Sequence, residues 1–314
     1  MKAVVINEFG GTDVLKISEI PIPEPQEGEV LVKIKAIGIN PVDVKIRQGF
    51  LQSRAIHQLP IILGWDFSGV VEKNGFGARR FKQGDEVFSY CRRPIIKNGT
   101  YAEYIAVPEC YITNKPKNIS FEEAASIPLV SLTAYQSIFS SAKLKEGETI
   151  LILGASGGVG TSAIQLAKSV NAKVIGLASK KNHDYIKSIG ADEVIDYQEG
   201  DFRETLKLMY PNGVDLVFDC VGGATFEKGL DCVKKGGRIA TILMPNQELL
   251  KGRELEFYYV FVEANVSQLN HIKELIEAGK LKPFVSEVYS LDDIVEVHEK
   301  IEKLHTRGKI VVRP

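Results

Sequence analysis

The stretch ILILGASGGVGTSAIQLAK, residues 150–168, constrains this chain more than any other part of it. Ile150 to Leu153 form the short apolar run that buried parallel strands show. Val159, Ala163, Leu166, Ala167 and Val170 then recur at helical spacing and make one apolar face. Between strand and helix stand four glycines, Gly154, Gly157, Gly158 and Gly160, so the turn is tight. Two chemistries fit it. Gly154 to Gly158 spells G-x-S-x-G, an elbow that would present Ser156 as a nucleophile. The same residues with Val159 and Gly160 also suit a phosphate cradle, in which backbone N–H groups and the positive end of the helix face a pyrophosphate.

The rest of the chain decides between them. An elbow needs downstream acid and histidine partners and an oxyanion loop upstream. His271, His298 and His305 lie downstream, but the first two sit in strongly amphipathic segments and no HGGG-type segment precedes the motif. A β-rich preface of about 115 residues also suits a hydrolase sheet poorly. The cradle has its strand before, its helix after, and further strand–helix units beyond. Ser156 is then a donor to phosphate. At the end of the second strand an NAD site wants an acid for the ribose hydroxyls. Here VIGLASKKNH carries none between Val174 and His183, and Ser179, Lys180 and Lys181 stand where a ribose 2′-phosphate would lie. Missing acid and present cations favour NADPH over NADH.

The order of elements gives the architecture. Residues 1 to about 115 hold short β-rich runs (KAVVI, EVLVKIKAIGI, DFSGVVEK, GDEVFSY, AEYIAVP) broken by turn residues. From about residue 120 strands alternate with helical patterns, predicting an α/β doubly wound parallel sheet. The tail supplies two amphipathic helices and two strands, a mixture that suits a return to the first domain. At 314 residues two domains are expected. A net charge of −1 gives no reason to propose a nucleic-acid partner. Cys91, Cys110, Cys220 and Cys232 form no C-x-x-C pair, and the N-terminal apolar run is too short for a secretory segment. No stretch reaches the roughly 18 apolar residues of a membrane span. The expectation is a cytoplasmic protein with free thiols and no membrane partner.

Several motifs, in order, carry a family resemblance: GINPVDVKIRQG, GWDFSGVV, NGTYAEYIAVP, AASIPLVSLTAYQSI, GASGGVG, GADEVIDY, DCVGG and RGKIVV. Together they resemble the zinc-free quinone oxidoreductase and enone (alkenal) reductase branch of the medium-chain dehydrogenase/reductase superfamily. Ser179, Lys180, Lys181 and Asn182 match the Ser-x-Lys-Asn run of its enone reductases. The resemblance implies a mostly-β GroES-like catalytic domain (1–122 plus 266–314) into which a Rossmann NADP-binding domain (123–265) is inserted, with the active site in the cleft. It also implies a homodimer joined through the last Rossmann strand, 257–263.

By the same resemblance, Asn40 lies near the nicotinamide and Asp43 supports its loop. Thr133 contacts the phosphate–ribose end, and Tyr197 flanks the adenosine beside Ser179 and Lys181. Val221 and Gly222 run along the cofactor, and Phe261 and Val262 lie near the carboxamide. Zinc-dependent relatives carry a cysteine where Asn40 stands and a histidine in the segment holding Trp65 and Asp66. A catalytic zinc needs three protein ligands, so none is expected here. The function implied is NADPH-dependent hydride transfer to a quinone or an α,β-unsaturated carbonyl. The alternatives are a non-catalytic NADPH-binding protein and a zinc alcohol dehydrogenase.

Overall fold

A computed structural model describes residues 1–303 and 307–314; His305 lies outside the described residues. The chain divides into two compact units, one of residues 1–129, 264–278 and 283–314, the other of residues 130–263 and 279–282.

The first unit opens with β1 (Lys2–Ile6), β2 (Lys16–Glu19) and β3 (Glu29–Gly38), then the short helix α1 (Pro41–Arg47). There follow β4 (Ile56–Ile62), β5 (Asp66–Asn74), β6 (Glu86–Tyr90), β7 (Ile95–Asn98), β8 (Tyr104–Pro108), β9 (Ile112–Asn114) and helix α2 (Phe121–Ala125). β3 is the spine. Exposed Lys33 and Lys35 alternate with buried Ile34 and Ala36, the period of two that a half-covered strand requires. Along its length β3 pairs antiparallel with β5 and with β8, and β6 and β9 extend the sheet beyond β5. A smaller sheet runs β2-β1-β4-β7. α2 starts where Ser120 accepts from the Glu123 N–H while the Glu123 carboxylate accepts from the Ser120 N–H, a reciprocal cap.

Helix α3 (Pro128–Tyr135) leads on to β10 (Thr149–Leu153), α4 (Gly158–Ser169), β11 (Lys173–Leu177), α5 (His183–Ser188), β12 (Glu193–Ile195), α6 (Phe202–Met209), β13 (Val214–Asp219), α7 (Gly223–Leu230), β14 (Val233–Thr241) and β15 (Glu256–Tyr259). The six strands form one parallel sheet in the order β12-β11-β10-β13-β14-β15. The chain winds outward from β10 through β11 to β12 and then returns to β13 on β10's other side. Strand order therefore reverses at β10, and ligands bind at such a switch point. Leu151, Leu153, Ile175, Leu177, Val217 and Ile239 pack on one sheet face with Phe202, Leu206, Phe226 and Leu230, while Ile150 and Ile152 are equally buried. This double covering is why β10 is apolar at successive positions.

One element is shorter than the sequence predicts. The last strand, read as 257–263, ends at Tyr259. Its partner β14 ends at Thr241, and the Val260 N–H makes the final bond, to the Thr241 carbonyl. Beyond that, the Gln136 side chain holds the Glu263 backbone, donating to its carbonyl at 2.9 Å and accepting from its N–H at 3.0 Å.

The tail, α8 (Val266–Glu277), β16 (Val285–Ser290), α9 (Ile294–Glu302) and β17 (Lys309–Arg313), completes the first unit. β17 pairs antiparallel with the end of β3, Val312 opposite Ile37, and β16 pairs parallel with β17. Buried polar groups bind this tail to the N-terminal segment. Arg47 on α1 donates to His298 Nδ1 on α9 at 3.1 Å and also pairs with Glu302. His298 Nε2 lies 3.2 Å from the Tyr101 hydroxyl, which donates to Asp43 at 3.0 Å. With Arg47 donating to Nδ1, the imidazole is neutral and carries its proton on Nε2. Among the described residues no helix is long and apolar enough to cross a membrane.

Burial, with the neighbouring Arg47 charge, lowers the His298 pKa to about 3. The unfolded chain takes up this proton near the ordinary value of about 6.5, and the folded chain only near 3. Stability from this group is therefore complete above about pH 6.5 and drains as pH falls toward 3, at up to about 1.4 kcal/mol per pH unit. Denaturant unfolding across that window should show a shallower acid decline for His298→Gln than for the wild type. Parallel curves would remove His298 as the cause.

Candidate functional site

The glycine turn after β10 is built for close backbone approach. Gly154 has φ +80°, which other residues adopt only with strain, and a Cβ there would lie 2.8 Å from Val221 Cγ2. A Cβ on Gly160 would lie 2.3 Å from the Gly154 carbonyl oxygen and 2.7 Å from Ala155 Cα, so only glycine lets α4 come this near the turn. Gly157 caps α4 and offers no side chain to its first N–H groups. The first helical bond runs from the Thr161 N–H to the Gly157 carbonyl at 2.9 Å, so Gly158, Val159 and Gly160 precede it with outward N–H groups. A Cβ at Gly157 would meet nothing nearer than 3.5 Å. This is a cradle an anion fits.

The neighbouring strand supplies the second part. β11 lies beside β10 with Leu177 opposite Leu153, and the Ala155 N–H donates to the Leu177 carbonyl at 3.1 Å. The Gly154–Gly157 turn and the Ser179–Asn182 turn are therefore adjacent. The Asn182 amide donates to both Ser156 Oγ and Ser179 Oγ, each at 3.2 Å. Among the described residues no histidine bonds to Ser156. Lys180 is exposed, its N–H bonded to Asp196 and its ammonium 3.0 Å from Glu199. Lys181 is exposed and pairs with no acid among the described residues. Tyr197 is half-exposed on the loop that follows β12. The acids Asp196 and Glu199 lie far down the sequence from Ser179, and only the β11–β12 pairing brings them to this loop.

At β13's end, buried Asp219 accepts from the Val221 and Gly222 N–H groups at 3.0 and 2.9 Å, and Thr241 donates to its other oxygen at 2.6 Å. This leaves Val221 exposed at the rim of the same turn cluster. Asp219 has no counterpart among the residues expected from the sequence; an acid at a strand end just before Gly222-Gly223 is the signal for it. Thr133 is buried on α3, and its carbonyl accepts from Ser137 at 2.7 Å. Phe261 is half-buried and Val262 buried, in the segment that Gln136 anchors.

The first unit holds a separate buried cluster. Asn40 precedes α1, Pro41 opens the helix, and Asp43 accepts from the Asn40 N–H at 2.9 Å. The Asn40 amide donates to the Gly38 carbonyl at 3.2 Å and to Asp66 at 3.0 Å, and its oxygen accepts from the Lys309 ammonium. Asp66 also accepts from the Leu129 N–H at 2.9 Å. Asn40, Asp43 and Asp66 are fully buried. Burial pushes the Asp43 carboxyl up to about 6, partly offset by the Asn40 N–H and by Lys309. Burial likewise raises Asp66 and lowers Lys309, each opposed by the other's charge. The Asn40 side chain is thus fully engaged. Lys309 supplies the positive charge these carboxylates need, and among the described residues no group of three His, Cys, Asp or Glu is placed to hold a metal. The donor set does not fit zinc.

Residues 26–117 match a family model described as the alcohol dehydrogenase GroES-like domain, and residues 189–312 one described as zinc-binding dehydrogenase. The chain is 36% identical to the NADPH-dependent alkenal/one oxidoreductase, chloroplastic, of Arabidopsis thaliana, over 100% of this chain and 80% of that one. It is 33% identical to the human NAD(P)H oxidoreductase RTN4IP1, mitochondrial, covering 99% and 89%. The structure of the quinone oxidoreductase from Coxiella burnetii superposes with a TM-score of 0.90 at 34% identity, covering 100% and 99%. The likeness spans both units, and on it the chain belongs to the medium-chain dehydrogenase/reductase superfamily, as an oxidoreductase of its zinc-free quinone oxidoreductase and enone reductase branch.

Proposed function

We propose that this protein reduces quinones or α,β-unsaturated carbonyls with NADPH. The observation that carries this reading is the glycine cradle lying beside a turn that offers Ser179 and Lys181 and no acidic side chain of its own. The names of the Arabidopsis and Coxiella relatives support the substrate class. Gly154, Ser156, Gly157, Gly158, Val159 and Gly160 hold the pyrophosphate. Ser179, Lys180 and Lys181 hold the 2′-phosphate, with Tyr197 along the adenosine. Thr133, Val221, Gly222, Phe261 and Val262 line the remainder. NADPH, when bound, supplies the hydride.

The chain's own part is to orient the acceptor, exclude water and stabilise charge growing on the acceptor oxygen. Water can return the proton. Asn40 and Asp43 serve this chemistry as positioning residues, because both are buried with their partners in place. Zinc takes no part. β15 stands at one end of the parallel sheet, and an edge strand left uncovered invites pairing, which supports a homodimer joined there. All four cysteines are free, which supports a reducing compartment, taken here as the cytoplasm.

Lys180 is engaged by Glu199 and Lys181 is not, so the two lysines should contribute unequally. Lys181→Ala should weaken NADPH binding about 10-fold, the scale of a charge-assisted bond, and leave NADH binding nearly unchanged. Lys180→Ala should cost less. Equal losses for both cofactors, measured by nicotinamide fluorescence titration, would reject the 2′-phosphate assignment.

Asn40→Ala frees Lys309 and Asp66 from their shared partner. It should lower kcat with quinone or enone acceptors by about 10-fold or more, with a smaller effect on NADPH affinity. Incubation of the wild type with a chelator should leave the same activity intact. Binding of NADPH without turnover of quinones, alkenals or cyclic enones would instead support the non-catalytic reading.

A further inference from the structure

Asn182 belongs to none of the roles assigned above, yet its side chain touches both the turn after β10 and the turn after β11. It is buried, and its amide nitrogen stands 3.2 Å from Ser156 Oγ in the turn after β10 and 3.2 Å from Ser179 Oγ in the turn after β11. A hydroxyl has one hydrogen to give and lone pairs to receive with. Each serine oxygen here receives one amide hydrogen, and among the described residues neither hydroxyl gives its own hydrogen to a protein acceptor. Ser179 stands before the 3₁₀ turn Lys180–Asn182 without spending its side chain on it. The Asn182 N–H donates to the Ser179 carbonyl at 2.9 Å, which fixes the asparagine above that turn.

We infer that Asn182 is a positioning residue that sets cofactor preference by orienting the Ser156 and Ser179 hydroxyls as paired donors to phosphate oxygens. The inference rests on the NADPH reading given above. A phosphate offers only acceptors, so hydroxyls already turned outward as donors bind it without reorganisation. The 2′-phosphate meets Ser179 and the pyrophosphate meets Ser156. Loss of Asn182 therefore weakens NADPH more than NADH, since only the former uses both serines' donated hydrogens. Leucine keeps the branched outline of asparagine and has no donor.

The test is fluorescence titration of NADPH and NADH with wild type, Asn182→Leu, Asn182→Ala, Ser179→Ala and the Asn182→Leu/Ser179→Ala double variant, with thermal melts as a folding control. Asn182→Leu and Asn182→Ala should each weaken NADPH about 10-fold and NADH about threefold or less, for the loss of one hydrogen bond's orientation. In the Ser179→Ala background, Asn182→Leu should leave the NADPH-to-NADH preference unchanged, because the hydroxyl through which it acts is gone. A preference that survives Asn182→Leu and Asn182→Ala, or losses that simply add in the double variant, would overturn this inference alone. Equal wild-type affinity for the two cofactors would overturn the NADPH reading and this inference with it.

Discussion

Parallel pairing of β10 with strands on both of its sides is the constraint on which the second unit's site depends. Leu153 stands opposite both Leu177 and Asp219, so three strands end level with one another. Each end then delivers a different group: the glycine turn, the Ser179 turn and the Asp219 turn. Parallel strands must send the chain over a face of the sheet before it returns, so the turns gather at one edge although they are far apart in sequence. Glycine at 160 completes the arrangement, because any side chain there would collide with the backbone of the turn α4 leaves.

In the first unit the governing feature is buried charge. Asp43 and Asp66 are fully buried carboxylates, a condition that costs free energy unless it is met by donors or by an opposite charge. Asn40 meets it from two sides, joining Asp66 to Lys309, and the ammonium arrives on β17 at the far end of the sequence. The pairing of β17 with β3 is thus more than sheet extension. It carries the counter-charge to a turn made by residues near the start, while the Arg47–His298–Tyr101 chain makes a second tie between the same segments. Asn40 and Lys309 hold this cluster together by hydrogen bonding.

Periodicity and glycine spacing made β10, α4 and β11 legible, since their residues see a simple environment: apolar on both faces for a central strand, one apolar stripe for its helix. The same logic read the last strand too long. Phe257 to Val262 has strand composition throughout, but strand structure needs a partner, and β14 ends at Thr241. Asp196 and Glu199 illustrate the same limit within the site. An acid-free run from Val174 to His183 speaks for NADPH, yet two acids from the next strand's loop reach Lys180 and leave Lys181 as the unpaired cation.

By itself the sequence determined that a strand, a glycine turn and a helix would follow one another, because glycine spacing and apolar period act over a dozen residues. It also determined that cations rather than an acid follow the second strand. Only the tertiary structure decided which lysine stays unpaired, that Asn40 is fully occupied by Asp66 and Lys309, and that Asn182 bridges Ser156 and Ser179. Those outcomes depend on which strand ends lie side by side, and hydrogen bonds a few ångströms long between distant residues leave no periodic trace in the chain.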